Sequence, residues 1–269
     1  MTSARFIKTM CLVSGVCLVS LLAFTAVAQT PPSAPPDRNA LLTAVRRNTE
    51  TADFRATGRL VHVTADGSRT TYKIGIKGHW FPDGLRLLYE VKAPAEARVQ
   101  LLVRMAADGT VKMEALHPGT PSPSPLAAEH RRDSLLGTDF SFEDLVDSQL
   151  FWKGQTLQDP AKYGARDCFV LKSVPSAADH SQYESVTSWI DEKISLPIHV
   201  IKTIRATGEQ RDFTYEGLRQ TAGVWSATQI RVKTSGASGY SLIILERGSP
   251  KAKLLPKDFE LGQPFTGDD

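Results

Sequence analysis
Apolar and polar residues alternate along most of this chain from Phe54 to Arg247. A period of two predicts strands with one buried and one wet face. Phe54–Val63 opens the series, and Asp66-Gly67-Ser68 is a hairpin turn. The returning strand, 71–78, sets Tyr72, Ile74 and Ile76 on one face and lysines on the other. Further strands are predicted at 85–91, 99–105, 111–116, 150–157, 167–174, 184–191, 198–204, 211–217, 224–234 and 240–247, separated by turn residues. Before them, Leu41, Leu42 and Val45 form the apolar stripe of a helix over 38–49, with Asp37 as its cap. Long helices do not alternate with the strands, so the pattern argues against a parallel sheet. An antiparallel sheet this large curls, splits or closes. No fixed-period repeat supports a propeller.

The alternation breaks at Ser134–Leu145, SLLGTDFSFEDL. A Gly137-Thr138-Asp139 corner leads to Ser141, a good helix cap, with Glu143 and Asp144 in the first turn. Phe140 is placed to staple onto Leu145 or Val146. The segment reads either as a plug over the open side of a curled sheet or as an ordinary surface turn. The preceding Pro118–Pro125 stretch reads as a loop with nothing to add to a core. After the last strand, Leu254–Pro264 is a tail that packs through Phe259 and Leu261.

Composition changes the picture at the N-terminus. Arg5 and Lys8 precede an apolar run, Cys11–Phe24, and Ala26-Val27-Ala28 is a small-residue cleavage signal. Residues 1–28 therefore read as a secretory leader and 29–37 as a Pro-rich spacer. Residues 38–269 read as a single domain, soluble in the periplasm after cleavage near Ala28. The chain has 32 basic and 29 acidic residues, well mixed, which gives no case for binding nucleic acid. Cys168 is the one cysteine beyond the leader, so no internal disulfide is available and the core must carry stability. Within CFVL it reads as a buried thiol.

Positive chemistry is missing from the sequence. His62, His79, His117, His130, His180 and His199 are scattered, with no zinc-ligand spacing. There is no GxSxG elbow, no SxxK and no phosphate-cradling glycine loop. Glu143-Asp144 and Asp191-Glu192 read as a helix start and a strand-end turn. The expectation is a protein that is not an enzyme, with no cofactor and no metal.

Taken together, LLGTDFSFEDL, Ser188-Trp189-Ile190-Asp191, Leu196-Pro197, Gly208 and Gly223-Val224-Trp225 resemble the outer-membrane lipoprotein-sorting proteins, the LolA-like group, in its broad uncharacterised branch. The likeness runs from the helix near residue 38 to Lys257-Asp258-Phe259. It implies a mainly β fold: an unclosed antiparallel β-barrel with short helices over its open side and an apolar cavity for acyl chains. Bulky strand residues are the candidates to line it: Trp80, Phe81, Leu87, Tyr89, Leu101, Val103, Phe151, Trp152, Trp189, Ile198, Val200 and Phe213. Each also reads as ordinary core. Arg86, Arg98 and Arg104 are candidates to meet a phosphate or glyceryl head at the rim, or are simply solvated. The function implied is a monomeric periplasmic carrier that takes lipoprotein or lipid acyl chains toward the outer membrane. Its partners would be an inner-membrane transporter and an outer-membrane acceptor. The alternatives are a sensor module of the same fold and, more remotely, an exported hydrolase. The carrier reading requires that the inward side chains leave a hollow.

Overall fold
The structure is a computed structural model that describes residues 37–221 and 223–263. The leader, the spacer up to Pro36, Ala222 of the predicted Ala222-Gly223 turn, and Pro264 at the end of the tail lie outside the described residues.

Helix α1 spans Arg38–Glu50, and the Asp37 side chain accepts the Asn39 N–H at its start. Its stripe of Leu41, Leu42 and Val45 is buried, as the spacing predicts. The strands follow in chain order: β1 (Asp53–Val63), β2 (Arg69–Phe81), β3 (Gly84–Ala93), β4 (Val99–Met105), β5 (Val111–Leu116), β6 (Ser124–Pro125), β7 (Gly154–Tyr163) and β8 (Arg166–Val174). Next come β9 (Tyr183–Asp191), β10 (Pro197–Ile204), β11 (Gln210–Glu216), β12 (Arg219–Thr221), β13 (Val224–Ser226), β14 (Gln229–Thr234) and β15 (Tyr240–Ser249).

Among the described residues thirteen strands form one antiparallel sheet in the order β6-β5-β4-β3-β2-β1-β15-β14-β11-β10-β9-β8-β7, and β12–β13 is a separate hairpin. The sheet is an unclosed barrel: β6 and β7 are its two edges and do not pair. Each half is a meander of neighbouring hairpins. The halves meet where the last strand, β15, pairs with the first, β1, from Arg55↔Ser249 to Val63↔Tyr240. The register shifts there at Gly58, where a Cβ would sit 1.9 Å from the Ile244 carbonyl oxygen; only glycine lets the two backbones approach so closely.

The inner face is apolar. Leu60, Ile74, Ile76, Leu87, Leu101, Val103, Met113, Leu171, Val186, Val200, Phe213, Val232 and Ile243 join one buried cluster with the helix stripe. A smaller cluster of Phe81, Leu88, Leu102, Leu254 and Phe259 lies on the opposite face of β2–β4. The C-terminal segment covers it, held by Asp53, whose carboxylate accepts the Lys253 and Leu254 N–H groups. Phe259 and Leu261 of the tail pack there as expected.

Three predictions differ from the structure. Leu150-Phe151-Trp152 does not open a strand: Leu150 ends a buried 3₁₀ turn, Ser148–Leu150, Phe151 and Trp152 follow it as buried irregular chain, and β7 begins at Gly154. An apolar triplet satisfies a strand pattern and a buried turn equally well. The 224–234 segment is two strands, broken at Ala227 and Thr228. The Pro118–Pro125 loop ends in β6, which pairs Ser124 and Pro125 with β5.

Candidate functional site
The chain between the edge strands β6 and β7 does not cross the opening as a surface loop. It folds against the inner face of the sheet as a plug. From it Leu135, Phe140, Leu145, Val146, Leu150, Phe151 and Trp152 enter the main apolar cluster. The predicted short helix is a single 3₁₀ turn, Phe142–Leu145, whose cap residue Ser141 donates both its N–H and its hydroxyl to Asp144 Oδ2, each at 2.8 Å. Four residues are too few for the dipole argument that suggested a helix; the carboxylates have other work.

The first polar anchor is the Asp139 corner. Ser241 of β15 donates its hydroxyl to Asp139 Oδ2 at 2.7 Å and accepts the Asp139 N–H at 2.9 Å. Thr234 of β14 donates to Oδ1 at 3.2 Å, and the His62 ring of β1 lies 3.6 Å from the carboxylate. Tyrosine hydroxyls of β2 and β3 catch the plug backbone: Tyr72 donates to the Leu136 carbonyl at 3.3 Å and Tyr89 to that of Leu145 at 2.5 Å.

The second anchor is the more expensive. Lys202 on β10 and Arg211 on β11 are directly opposite in register, and both point to the inner face. Like charges placed so repel, and water is excluded: the Lys202 side chain is 3% exposed. Asp144 from the plug lies between them. Its carboxylate is wholly buried, 2.9 Å from Lys202 Nζ, 2.9 Å from Arg211 Nη1, and accepts the Tyr183 hydroxyl at 2.6 Å. Lys202 also lies over the Phe213 ring, 4.7 Å from its centroid. Burial alone would raise the Asp144 pKa, but the Lys202 and Arg211 cations and the Tyr183 and Ser141 hydrogen bonds outweigh it, holding the group at about 2. The neighbouring Glu143 goes the other way: burial raises it, despite hydrogen bonds from Ser181 and the Gln182 N–H.

A carboxylate with a depressed folded pKa stabilises the fold above its unfolded pKa and loses that contribution as the pH falls through the folded value. The Asp144 contribution is therefore complete above about pH 4 and disappears toward pH 2. Urea unfolding measured across that range will show a drop in stability that is smaller in Asp144→Asn. Equal slopes for the two proteins would refute the assignment.

Beneath the plug, Leu60, Ile74, Tyr89, Leu101, Leu135, Leu145 and Ile243 surround a cavity of about 20 Å³. That is room for one water-sized sphere. The hollow that the carrier reading requires is filled, and what fills it is the plug. Of the sequence-predicted lining residues, Leu87, Leu101, Val103, Phe151, Trp152, Val200 and Phe213 are buried in the inner cluster, and Trp80 and Tyr89 pack against it. Phe151 and Trp152 belong to the plug itself. Ile198 is buried at the start of β10 but joins neither cluster. Phe81 lies in the outer cluster beneath the C-terminal segment. Trp189 points to the face opposite Ser188 and Ile190 and packs its ring on His199, centroids 4.6 Å apart. Among the described residues no group of three or more His, Cys, Asp or Glu side chains is arranged to hold a metal ion, and no helix is long and apolar enough to cross a membrane. Sequence reasoning missed Asp139, Lys202 and Arg211; the signal was a cation at an inward strand position, Lys202 between Val200 and Ile204.

The fold is also that of known structures. A domain named for outer-membrane lipoprotein sorting, from Vibrio parahaemolyticus, superposes with a TM-score of 0.74 at 18% identity, covering 82% of this chain and 94% of that one. A DUF1329 family protein from Desulfovibrio piger gives 0.71 at 18% identity, over 83% and 97% of the two chains. A LolA superfamily protein from Nitrosomonas europaea gives 0.63 at 14%, over 82% and 96%. No functionally curated protein matches the sequence. A family model described as an uncharacterized protein matches residues 85–262, more than half of the chain. The chain thus belongs to that uncharacterized family, and its fold is that of the LolA-like lipoprotein-sorting proteins.

Proposed function
We propose that the protein is an exported carrier of lipid or lipoprotein acyl chains, and that an acyl chain takes the place of the plug. The observation that carries this reading is the plug itself: an apolar strip between the two sheet edges, lying on an apolar trough and pinned by a few polar contacts. Its displacement would open a surface lined by Leu87, Leu101, Val103, Val200 and Phe213. Each methylene buried there returns about 0.8 kcal/mol, so a fatty acyl chain recovers the apolar contacts that the plug gives up. Binding of this kind is passive and reversible; it needs no cofactor and no catalytic group. In this reading residues 1–28 direct export and are removed near Ala28, residues 38–269 act as one domain, and the donor and acceptor lie in the inner and outer membranes. The fold shared with lipoprotein-sorting domains supports it.

A ligand that must first displace the plug binds with an apparent affinity reduced by the small fraction of open protein. Asp144→Asn, which removes the charge holding the plug to Lys202 and Arg211, is therefore expected to bind a fluorescent fatty acid about tenfold more tightly than the parent. Protein isolated from the periplasm is expected to yield acylated material in an organic extract. A clean extract, together with no displacement of the probe by either protein, would exclude the carrier. Binding without transfer of cargo between vesicles would turn the reading to a sensor.

A further inference from the structure
The outer face of β3, β4 and β5 carries a second feature that the trough does not use. Arg86, Arg104 and Lys112 are directly opposite one another across the three strands: Arg86 pairs with Arg104, and Arg104 with Lys112. Three like charges in one cross-strand row weaken a sheet unless they are offset, and here Asp83 and Glu114 each offset one arginine of the row. The three cations line a pocket of about 320 Å³ at the end of these strands, together with Asp83, Asp108 and Thr110. The two carboxylates are already engaged: Asp83 accepts Arg86 Nη2 at 2.9 Å, and Asp108 accepts the Thr110 N–H at 2.9 Å. Arg104 pairs with Glu114, which is not part of the pocket wall. Arg86 is held in place, its guanidinium lying 4.6 Å from the centroid of the Phe81 ring, and its buried Nε has no hydrogen-bond partner among the described residues. Arg98, grouped with these residues in the sequence, is elsewhere; it donates to the Lys92 carbonyl.

We propose that Arg86, Arg104 and Lys112 form a binding site for a phosphate ester. A fixed arginine, a second arginine and a lysine on one concave wall are the groups that recognise tetrahedral phosphate oxygens. The β4–β5 turn lies between this pocket and the plug, since a Cβ on Gly109 would fall 2.6 Å from Phe151 Cβ. A phosphate bound here thus lies at the lip of the trough. The site is independent of the acyl-chain reading and can be filled whether or not the plug moves.

The full protein and the exposed-residue variant Arg104→Gln/Lys112→Gln are to be compared by sedimentation with phosphatidylcholine vesicles, with and without phosphatidylglycerol, and by titration with glycerol phosphate and inorganic phosphate. Binding to the anionic vesicles, competed by phosphate and weakened about tenfold in the variant, is the expected result for a lipid headgroup; the loss matches one or two charge-assisted hydrogen bonds. Saturable binding of the soluble phosphates that the variant loses, without vesicle binding, also supports the site and assigns it to a free ester. Binding that the variant retains, or none in either assay, overturns it. A failed fatty-acid assay with a successful phosphate titration would reject the carrier and leave this site standing.

Discussion
Asp144→Ala will lower the free energy of unfolding by about 3–5 kcal/mol, the cost of leaving buried charges without their counter-ion. The reason lies in the inner face. Lys202 and Arg211 are fixed there by their strands, in register and mostly out of water. With Asp144 gone they keep their mutual repulsion, offset by no carboxylate in contact but only by the Tyr183 and Phe213 rings and the Tyr183 hydroxyl. If uncompensated charge is the cause, replacing all three residues with apolar ones of similar size will recover most of the loss, because a well-packed apolar core is as stable as a buried ion triad. Urea denaturation of the single and triple variants measures both quantities. A single-variant loss under about 1 kcal/mol would mean that water or another group already neutralises the pair.

Phe140→Ala will cost about as much, roughly 3–5 kcal/mol as for other buried aromatic truncations, but its signature will be local. Phe140 is 2% exposed and meets the Phe213 ring of β11 edge-on, centroids 6.1 Å apart. Its carbonyl also accepts the Leu135 N–H at 2.8 Å, which closes the corner of the plug. The plug contributes no strand to the thirteen-stranded sheet, so undocking it leaves that ladder intact. Hydrogen exchange will therefore accelerate at the Leu135, Thr138 and Phe151 amides, which are bonded within the plug, while the β1–β15 ladder keeps its protection. Uniform acceleration across sheet and plug would show that the two unfold together and that the trough cannot open alone.

The two variants touch the parts of the molecule that were least legible in the sequence. Helix α1 and strands β4 and β5 were plain, because each has a clean period and a cap or turn at its ends. Strand β7 was not. It is an edge strand with most of its side chains in water, so it lacks the alternation that a half-buried strand shows. The apolar triplet before it, which belongs to the plug, drew the predicted strand onto the wrong residues. The plug itself was recognisable as a break in the alternation, but its acidic residues fitted a helix start as well as an anchor. Only the pairing of β10 with β11 brings Lys202 and Arg211 side by side, and no local pattern encodes that register. Phe81 and Trp189 show the same gap: bulk marks a residue for burial without saying on which side of the sheet.

The β1–β15 pairing also governs the order in which the molecule can be assembled. Arg55 and Ser249 are neighbours in space at opposite ends of the domain's sequence. During synthesis the β1–β6 meander can form from contacts close in sequence, and so can β7–β11, but neither can join the other until the final strand emerges. Until then both half-sheets expose an unpaired edge and an uncovered greasy face, a state open to chaperone capture or proteolysis. The last ten residues of the sheet are in this sense its clasp.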